Sequence, residues 1–374
     1  MRLTRRGFLA QSALLAQPAA RSFYTVREQG GRWWLFTPAG EKQLTLGLNH
    51  IDPAGLRYAE NGSLWREKYG NSMRRWLEES VRPNLRRWGF NCVGWSQEVV
   101  TRGLTNHRHS RAWTFEEYQW LNMPYCHLLP FADFHQWEAE TRNPSLFSSE
   151  FADWCDHVAR EHCVTLANDP KLIGYFFIDC PTWVHTKQWS AWKGPMFDPK
   201  QLDSAAGRKQ LQDMAAQYYR VTSAAIRRYD KHHLIFGDRY EAAEPIPREV
   251  VQAALPYVDA LCFQHFAPPE RIAANLAHWH KETGKPVFVA DSAGNVRGEN
   301  GAVLHNPKHY PAVLAEIRKL PGAIGYHLCG AYTTNRTRRR GLLDEQERPN
   351  REVVDAITQA NREAARWATS GTRA

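Results

Sequence analysis

Apolar runs of strand length recur along the chain, spaced so that a helix fits between each pair. They are "QLTLGLNHI" (43–51), "FNCVGWSQ" (90–97), "MPYCHLLPF" (123–131), "LIGYFFID" (172–179), "HLIFGDRY" (233–240), "VDALCFQHF" (258–266), "PVFVADSAG" (286–294) and "AIGYHLCGAY" (323–332). Within each run most positions are apolar in succession, the pattern of strands buried on both faces, as parallel strands are. The intervening segments have helical period and readable starts. Thr114 is followed three residues on by Glu117, Asn306 stands before Pro307, and the segment 202–230 is long and alanine-rich. Eight such strands, each followed by a helix, predict a single α/β domain closed into a (β/α)8 barrel. An open doubly wound sheet would carry a glycine-rich phosphate turn after its first strand, and "GLNHID" is not one. Ahead of the first strand, "SFYTVREQGGRWWLFTPAGEKQ" predicts a β-hairpin turning at Gln29-Gly30-Gly31 and covering one barrel end. With no linker or internal repeat, 21–366 reads as one barrel and 367–374 as a disordered tail.

Chemistry in such a barrel gathers at the C-terminal ends of the strands, so what each apolar run leads into matters. The first leads into Asn49, His50 and Asp52, the second into Ser96, Gln97 and Glu98, and the third into Asp133 and His135. Asp179 closes the fourth, Asp238 and Arg239 the fifth, Gln264 and His265 the sixth, and Asp291 and Ser292 the seventh. His327 lies in the eighth, with Asn335 and Arg336 beyond it. Each can be a helix cap or a structural ion pair, but polar groups at the same end of all eight strands predict a polar-lined cleft. Of the 15 tryptophans, Trp95, Trp113, Trp120, Trp137, Trp183, Trp189 and Trp192 fall at or after strand ends, whereas Trp76, Trp88, Trp154 and Trp279 fit helix packing. Flat indole faces stack on the C–H faces of sugar rings, and carboxylates, amides and imidazoles bond sugar hydroxyls. The cleft is therefore expected to bind a carbohydrate through Asn49, His50, Gln97, Glu98, Asp133, Trp183, Asp238, Arg239, Gln264, His265, His327 and Arg336.

Composition narrows the class. The chain has 374 residues, 43% of them hydrophobic, enough for a large core, and no run of 18 apolar residues that would span a membrane. "LTRRGFLAQSALLAQPAA" sets Arg5 and Arg6 before a short, weakly apolar stretch, the pattern of a twin-arginine export signal, here 1–20, which implies a periplasmic or secreted protein. The seven cysteines have neither zinc-site nor disulfide spacing, and free buried thiols are expected. Formal net charge is +9, or +6 without 1–20, which carries Arg2, Arg5 and Arg6 and no acid. The basic loop "NRTRRRGLLDE" comes with no nucleic-acid-binding motif, so an anionic small molecule or acidic polysaccharide is at least as good a partner as nucleic acid, and a solvated loop paired with Asp344 and Glu345 stays open. The pairs in "HRH" (107–109) and "HH" (232–233) complete no metal spacing, and no nucleotide or dinucleotide fingerprint is present, so neither metal nor cofactor is implied. Oligomeric state is left open.

The stretches "GRWWLFTPAGEKQLTLGLNHI", "DPKLIGYFFIDCPTW", "HLIFGDRY", "GKPVFVADSAG" and "GYHLCGAYTTNRTRRRGLLDEQERP" together resemble a known group. In order, they are similar to the retaining (β/α)8 glycoside hydrolases of the large clan with its acid/base after strand four and its nucleophile after strand seven. Within it they resemble β-agarase-like proteins. The resemblance implies a glycosidase acting on an oligo- or polysaccharide, of galactan type or anionic. In that family strand four usually ends in Asn-Glu-Pro and strand seven in a nucleophilic Glu. The matching positions here are Asp179-Cys180-Pro181 and Asp291, so both glutamates are replaced. A thiol is too weak an acid for the first role. Three readings stay open: a glycosidase using Asp179 and Asp291, a sugar-binding barrel without turnover, and a lyase with His50, His265 or His327 as base. For the first, carboxyls about 5–5.5 Å apart favour retention and about 6.5–9.5 Å apart inversion.

Overall fold

The computed structural model describes residues 22–58, 60–99, 110–132, 145–179, 181, 183–184, 199–297, 303–335 and 340–370. Eight parallel strands close into a barrel: β1 (Thr45–Leu48), β2 (Cys92–Val93), β3 (Tyr125–Leu128), β4 (Leu172–Asp179), β5 (Leu234–Glu241), β6 (Leu261–Gln264), β7 (Val287–Ser292) and β8 (Ala323–Leu328). Neighbours in sequence are neighbours in space, and β8 closes on β1 through pairs such as Tyr326 with Leu46. This is the expected fold, with helices such as Ser149–Leu166, Ala205–Tyr229 and Pro269–Thr283 on the outside.

Side chains divide by strand alternation into two apolar bodies. One fills the barrel lumen, with Cys92, Cys126, Ile173, Phe176, Leu234, Phe236, Cys262, Phe288 and Ile324. The other joins barrel and helices and includes Tyr175, Phe177, Tyr218, Tyr219, Tyr240 and Trp279. The six described cysteines are all free and buried, as expected from their apolar settings, while Cys180 lies outside the described residues.

Helix starts follow the capping rules. Thr114 and Glu117 exchange backbone and side-chain hydrogen bonds in a capping box, and the hydroxyls of Ser148 and Ser204 accept from Phe151 and Gly207. The N-terminal hairpin, Thr25–Glu28 with Trp33–Phe36, turns through left-handed Gly30 (φ 64°) and Gly31 (φ 71°) and adds a third short strand, Lys42–Gln43. It seals the N-terminal end of the barrel: Tyr24 and Leu35 join the lumen cluster, and the Arg32 guanidinium donates to the carbonyls of Ile317, Arg318 and Ala323.

Two expectations need correcting. The second strand is two residues long, and Gln97–Val99 peels away to pair antiparallel with Ser110–Ala112 at the rim. Gln97 and Glu98 therefore sit on a separate ribbon and not at a barrel strand end. The last helix, Arg351–Ser370, extends four residues into the segment expected as tail, because Trp367 packs on Trp34 and lies under the Arg32 guanidinium. Residues 1–20 lie outside the described residues.

Candidate functional site at the C-terminal barrel mouth

The site is organised by one glycine. On β5, Leu234 and Phe236 face the lumen, and simple alternation would send Asp238 there too. Gly237 instead adopts φ 69°, in the left-handed region open to glycine, and the register with β4 shifts on both sides of it. A Cβ at that position would also lie 2.7 Å from Val258. Beyond this bulge the phase is inverted: Arg239 points into the lumen, and Asp238 and Tyr240 face the helix layer.

Arg239, fully buried, lies over the Trp95 ring at 4.8 Å and over Phe176 at 5.6 Å, and its Nη2 is 3.1 Å from Asp291 Oδ2. Asp291 Oδ1 accepts from Asn49 Nδ2 at 2.6 Å and has His50 Nε2 at 3.9 Å. Burial alone would raise the Asp291 pKa; the Arg239 charge, then His50 and Asn49, outweigh it and hold the carboxyl well below the usual carboxylate range. Asp291 is therefore an anion throughout the neutral range. Asn49 is itself fixed, donating to the Ala290 carbonyl and accepting from the Trp95 amide. His50 sits at φ 59°, uncommon for a residue with a Cβ, with its ring edge-on to Trp95.

One level below, His327 is fully buried, with Nε2 2.8 Å from Thr45 Oγ1 and 3.6 Å from Cys92 Sγ. Burial, and then Arg239, lower its pKa to about 3, so it is a neutral floor group. Gly94 keeps Asn49 and His327 close, since a Cβ there would stand 2.0 Å from Asn49 Oδ1 and 2.7 Å from His327 Nδ1. Neither neighbour is a loose side-chain end. Gly94→Ala is expected to lower stability by about 1–3 kcal/mol, the range for overpacking, and to detach Asn49 from Asp291; denaturant titration and catalytic assay of the variant check it.

The structure thus brings together Asn49, His50, Arg239 and Asp291. Gln264 pairs in register with Asp291, and the His265 amide donates to the Asp291 carbonyl at 3.0 Å. Burial, then Arg271, lower the His265 pKa. Asp179 is the register partner of Arg239 across β4 and β5, which sets its backbone at the same end of the barrel. Asp238 and Trp183, expected among the groups facing substrate, are placed elsewhere. Trp183 is buried against Tyr218 and Tyr219, its indole N–H donating to Asp238, so its ring is engaged in packing. Asp133 and Arg336 lie outside the described residues.

Two features escaped the sequence reading. Trp95 is a shelf for a guanidinium, and the Sγ of Cys329, just past β8, lies with His50 and Asp291 in a set of donor atoms all within 4.8 Å of one another. Such a set has the donor types of a transition-metal site. Here, however, the carboxylate is already neutralised by a guanidinium and bonded by an amide, and a cation would have to settle beside Arg239. Trp95 Nε1 and His265 Nδ1 are buried with no hydrogen-bond partner among the described residues, which suits a ligand rich in hydroxyls.

The barrel is a fold also seen in glycoside hydrolases of known structure. The chain is similar in structure to an exo-β-agarase, with a TM-score of 0.68 and 15% identity over 94% of this chain and 66% of that one. It is similar also to an agarase, AgWH50C, at TM-score 0.67 and 16% identity, over 92% and 64% of the two chains. A glycoside hydrolase family 2 β-galacturonidase from Eisenbergiella tayi superposes at TM-score 0.54 and 13% identity, over 91% of this chain and 54% of that one. The chain spans about two thirds of the length of the agarases it matches. No family model and no curated protein matches the sequence.

Proposed function

We propose that the protein is a glycoside hydrolase acting on an oligo- or polysaccharide, of galactan type or anionic, with Asp291 as the carboxylate that attacks the sugar or activates water and Asp179 as the acid. The observation that carries the reading is the anionic Asp291 at the end of β7, held by Arg239 and Asn49 in the mouth of a closed barrel. Hydrolysis of a glycoside needs one such carboxylate and one carboxylic acid. Support comes also from the folds of the agarases and the galacturonidase. A reading as a sugar-binding barrel without turnover is favoured by one feature: both Asp291 oxygens already have polar neighbours. The lyase reading loses one base candidate, since His327 is enclosed and its lowered pKa makes it a poor proton acceptor. The export pattern in 1–20 adds the proposal that the protein works outside the cytoplasm.

The test is a panel of agar-derived oligosaccharides and uronic-acid oligosaccharides, with products followed by reducing-end assay and by NMR of the released anomer. Asp179→Asn is expected to reduce turnover by roughly 10²–10⁴-fold, the worth of a general acid. Binding of panel sugars without new reducing ends would favour the binding barrel, and an unsaturated product would establish a lyase.

A further inference from the structure

Asp238 is an enclosed carboxylate of the helix layer that accepts from three protein donors. It is buried on the face of β5 opposite to Asp291. Tyr218 donates its hydroxyl to Oδ1 at 3.0 Å, and Tyr219 and the Trp183 indole N–H donate to Oδ2 at 2.7 and 3.0 Å. The Tyr219 hydroxyl also meets that of Tyr240 at 2.7 Å. Three donors on one enclosed carboxylate are a network that is costly to leave half satisfied. The donors come from two places: the helix Ala205–Tyr229, and Trp183, four residues beyond Asp179. The next residue, Arg239, pairs with Asp291 on the lumen side of the strand.

We propose that Asp238 is a positioning residue, which anchors the segment after β4 to the helix layer through Trp183 and, through its neighbour Arg239, fixes that segment relative to Asp291. The inference rests on the glycosidase reading for its link to turnover, but the anchoring itself stands apart from it. Asp238 touches no reacting atom. It holds the two arms of the site in one frame, and displacement of an arm by about 1 Å can cost on the order of 10²-fold in rate.

The anchor depends on charge. The groups facing Asp238 are Tyr218 and Tyr219 from the helix, Trp183 from the segment after β4 and Tyr240 on its own strand; behind Tyr218 stands Cys155 of the helix Ser149–Leu166, and the Cys262 thiol lies across the sheet in the lumen. No cation bonds it among the described residues. Burial raises its pKa, the donors Tyr219, Trp183 and Tyr218 pull it back, and it settles at about 6. Above that pH the carboxylate accepts from all three donors. Below it the carboxyl becomes a donor itself, and one of the three bonds is lost or must reverse, which breaks the all-accepting arrangement.

Two measurements test this. In the first, kcat and KM are followed against pH for the unaltered protein and for Asp238→Asn. The expected result is a kcat that rises through pH 6 in the unaltered protein. In the variant kcat is lower by roughly 10- to 100-fold, with KM within about twofold and the rise at pH 6 absent. A variant with the unaltered kcat and the same rise overturns the proposal. The second needs no turnover: hydrogen exchange by mass spectrometry of the peptide holding Trp183 and Val184, in the unaltered protein at pH 5 and 7 and in Tyr219→Phe at pH 7. Faster exchange at pH 5, corrected for intrinsic rate, and in Tyr219→Phe supports the anchor. Equal protection in all three overturns it. A protein that turns over none of the panel but shows this exchange pattern would refute the glycosidase reading and leave the anchor in place.

Discussion

Arg239→Met is expected to cost roughly 3–5 kcal/mol of stability, the penalty for breaking a buried ion pair by removing one partner. Methionine fills much of the space along Trp95 and Phe176, so little of the loss comes from a cavity; it comes from Asp291, left charged in the barrel without the guanidinium and with Asn49, His50 and the Cys329 thiol beside it. The sign of the pH dependence follows. In the unaltered protein the folded-state pKa of Asp291 is depressed, so its contribution is fully present above the unfolded value near 3.9 and is lost as pH falls through the folded value. Without Arg239 burial prevails and the folded pKa rises above the unfolded one, so the stability of the variant falls as pH climbs through it. Denaturant midpoints at pH 4.5 and 8 should therefore differ more from the unaltered protein at pH 8. A loss below about 1 kcal/mol that does not change with pH would show that the pair is not what keeps Asp291 ionised.

Asp291→Asn is expected to reduce turnover by on the order of 10³-fold or more, the scale seen when a group acting on the reacting atoms is removed. The amide cannot attack a sugar or take a proton from water. It also turns a donor toward Asn49, whose own amide is tied to Ala290 and Trp95 and cannot readily invert, so some stability is lost as well. Chemistry and stability can be separated by Asp291→Ala, which leaves the Arg239 guanidinium facing an open space. A small carboxylate such as formate should enter beside that guanidinium and restore part of the rate, while leaving the unaltered protein unaffected. An Asn variant turning over at the unaltered rate would remove Asp291 from the mechanism.

The barrel was legible because buried parallel strands write themselves as unbroken apolar runs, and all eight runs became strands. What the runs could not show was phase. Asp238 and Arg239 are adjacent and both polar, and the sequence offered both to the cleft; the left-handed Gly237 turns one inward and the other outward. The signal was present as a glycine inside a strand pattern, which marks a bulge. Trp183 was read as a sugar platform from its place after a strand, but an indole has an N–H to satisfy, and it donates that N–H to the buried Asp238. The contact of Asn49 with Asp291 joins residues 242 positions apart, and only closure of β8 on β1 brings them together. Gln97 and Glu98 were misplaced because an antiparallel ribbon and a short barrel strand share one apolar run.

The cysteines bear on how the molecule can be watched. Burial pushes the thiols of Cys92 and Cys163 up to about 12, and all six described thiols are enclosed, so a thiol reagent reacts only when the chain around each one opens. Cys155 and Cys163 lie on an outer helix, Cys92, Cys126 and Cys262 line the lumen, and Cys329 stands beside Asp291. Labelling rates, read thiol by thiol, would time the breathing of the shell, the interior and the mouth separately, with no probe added to the chain.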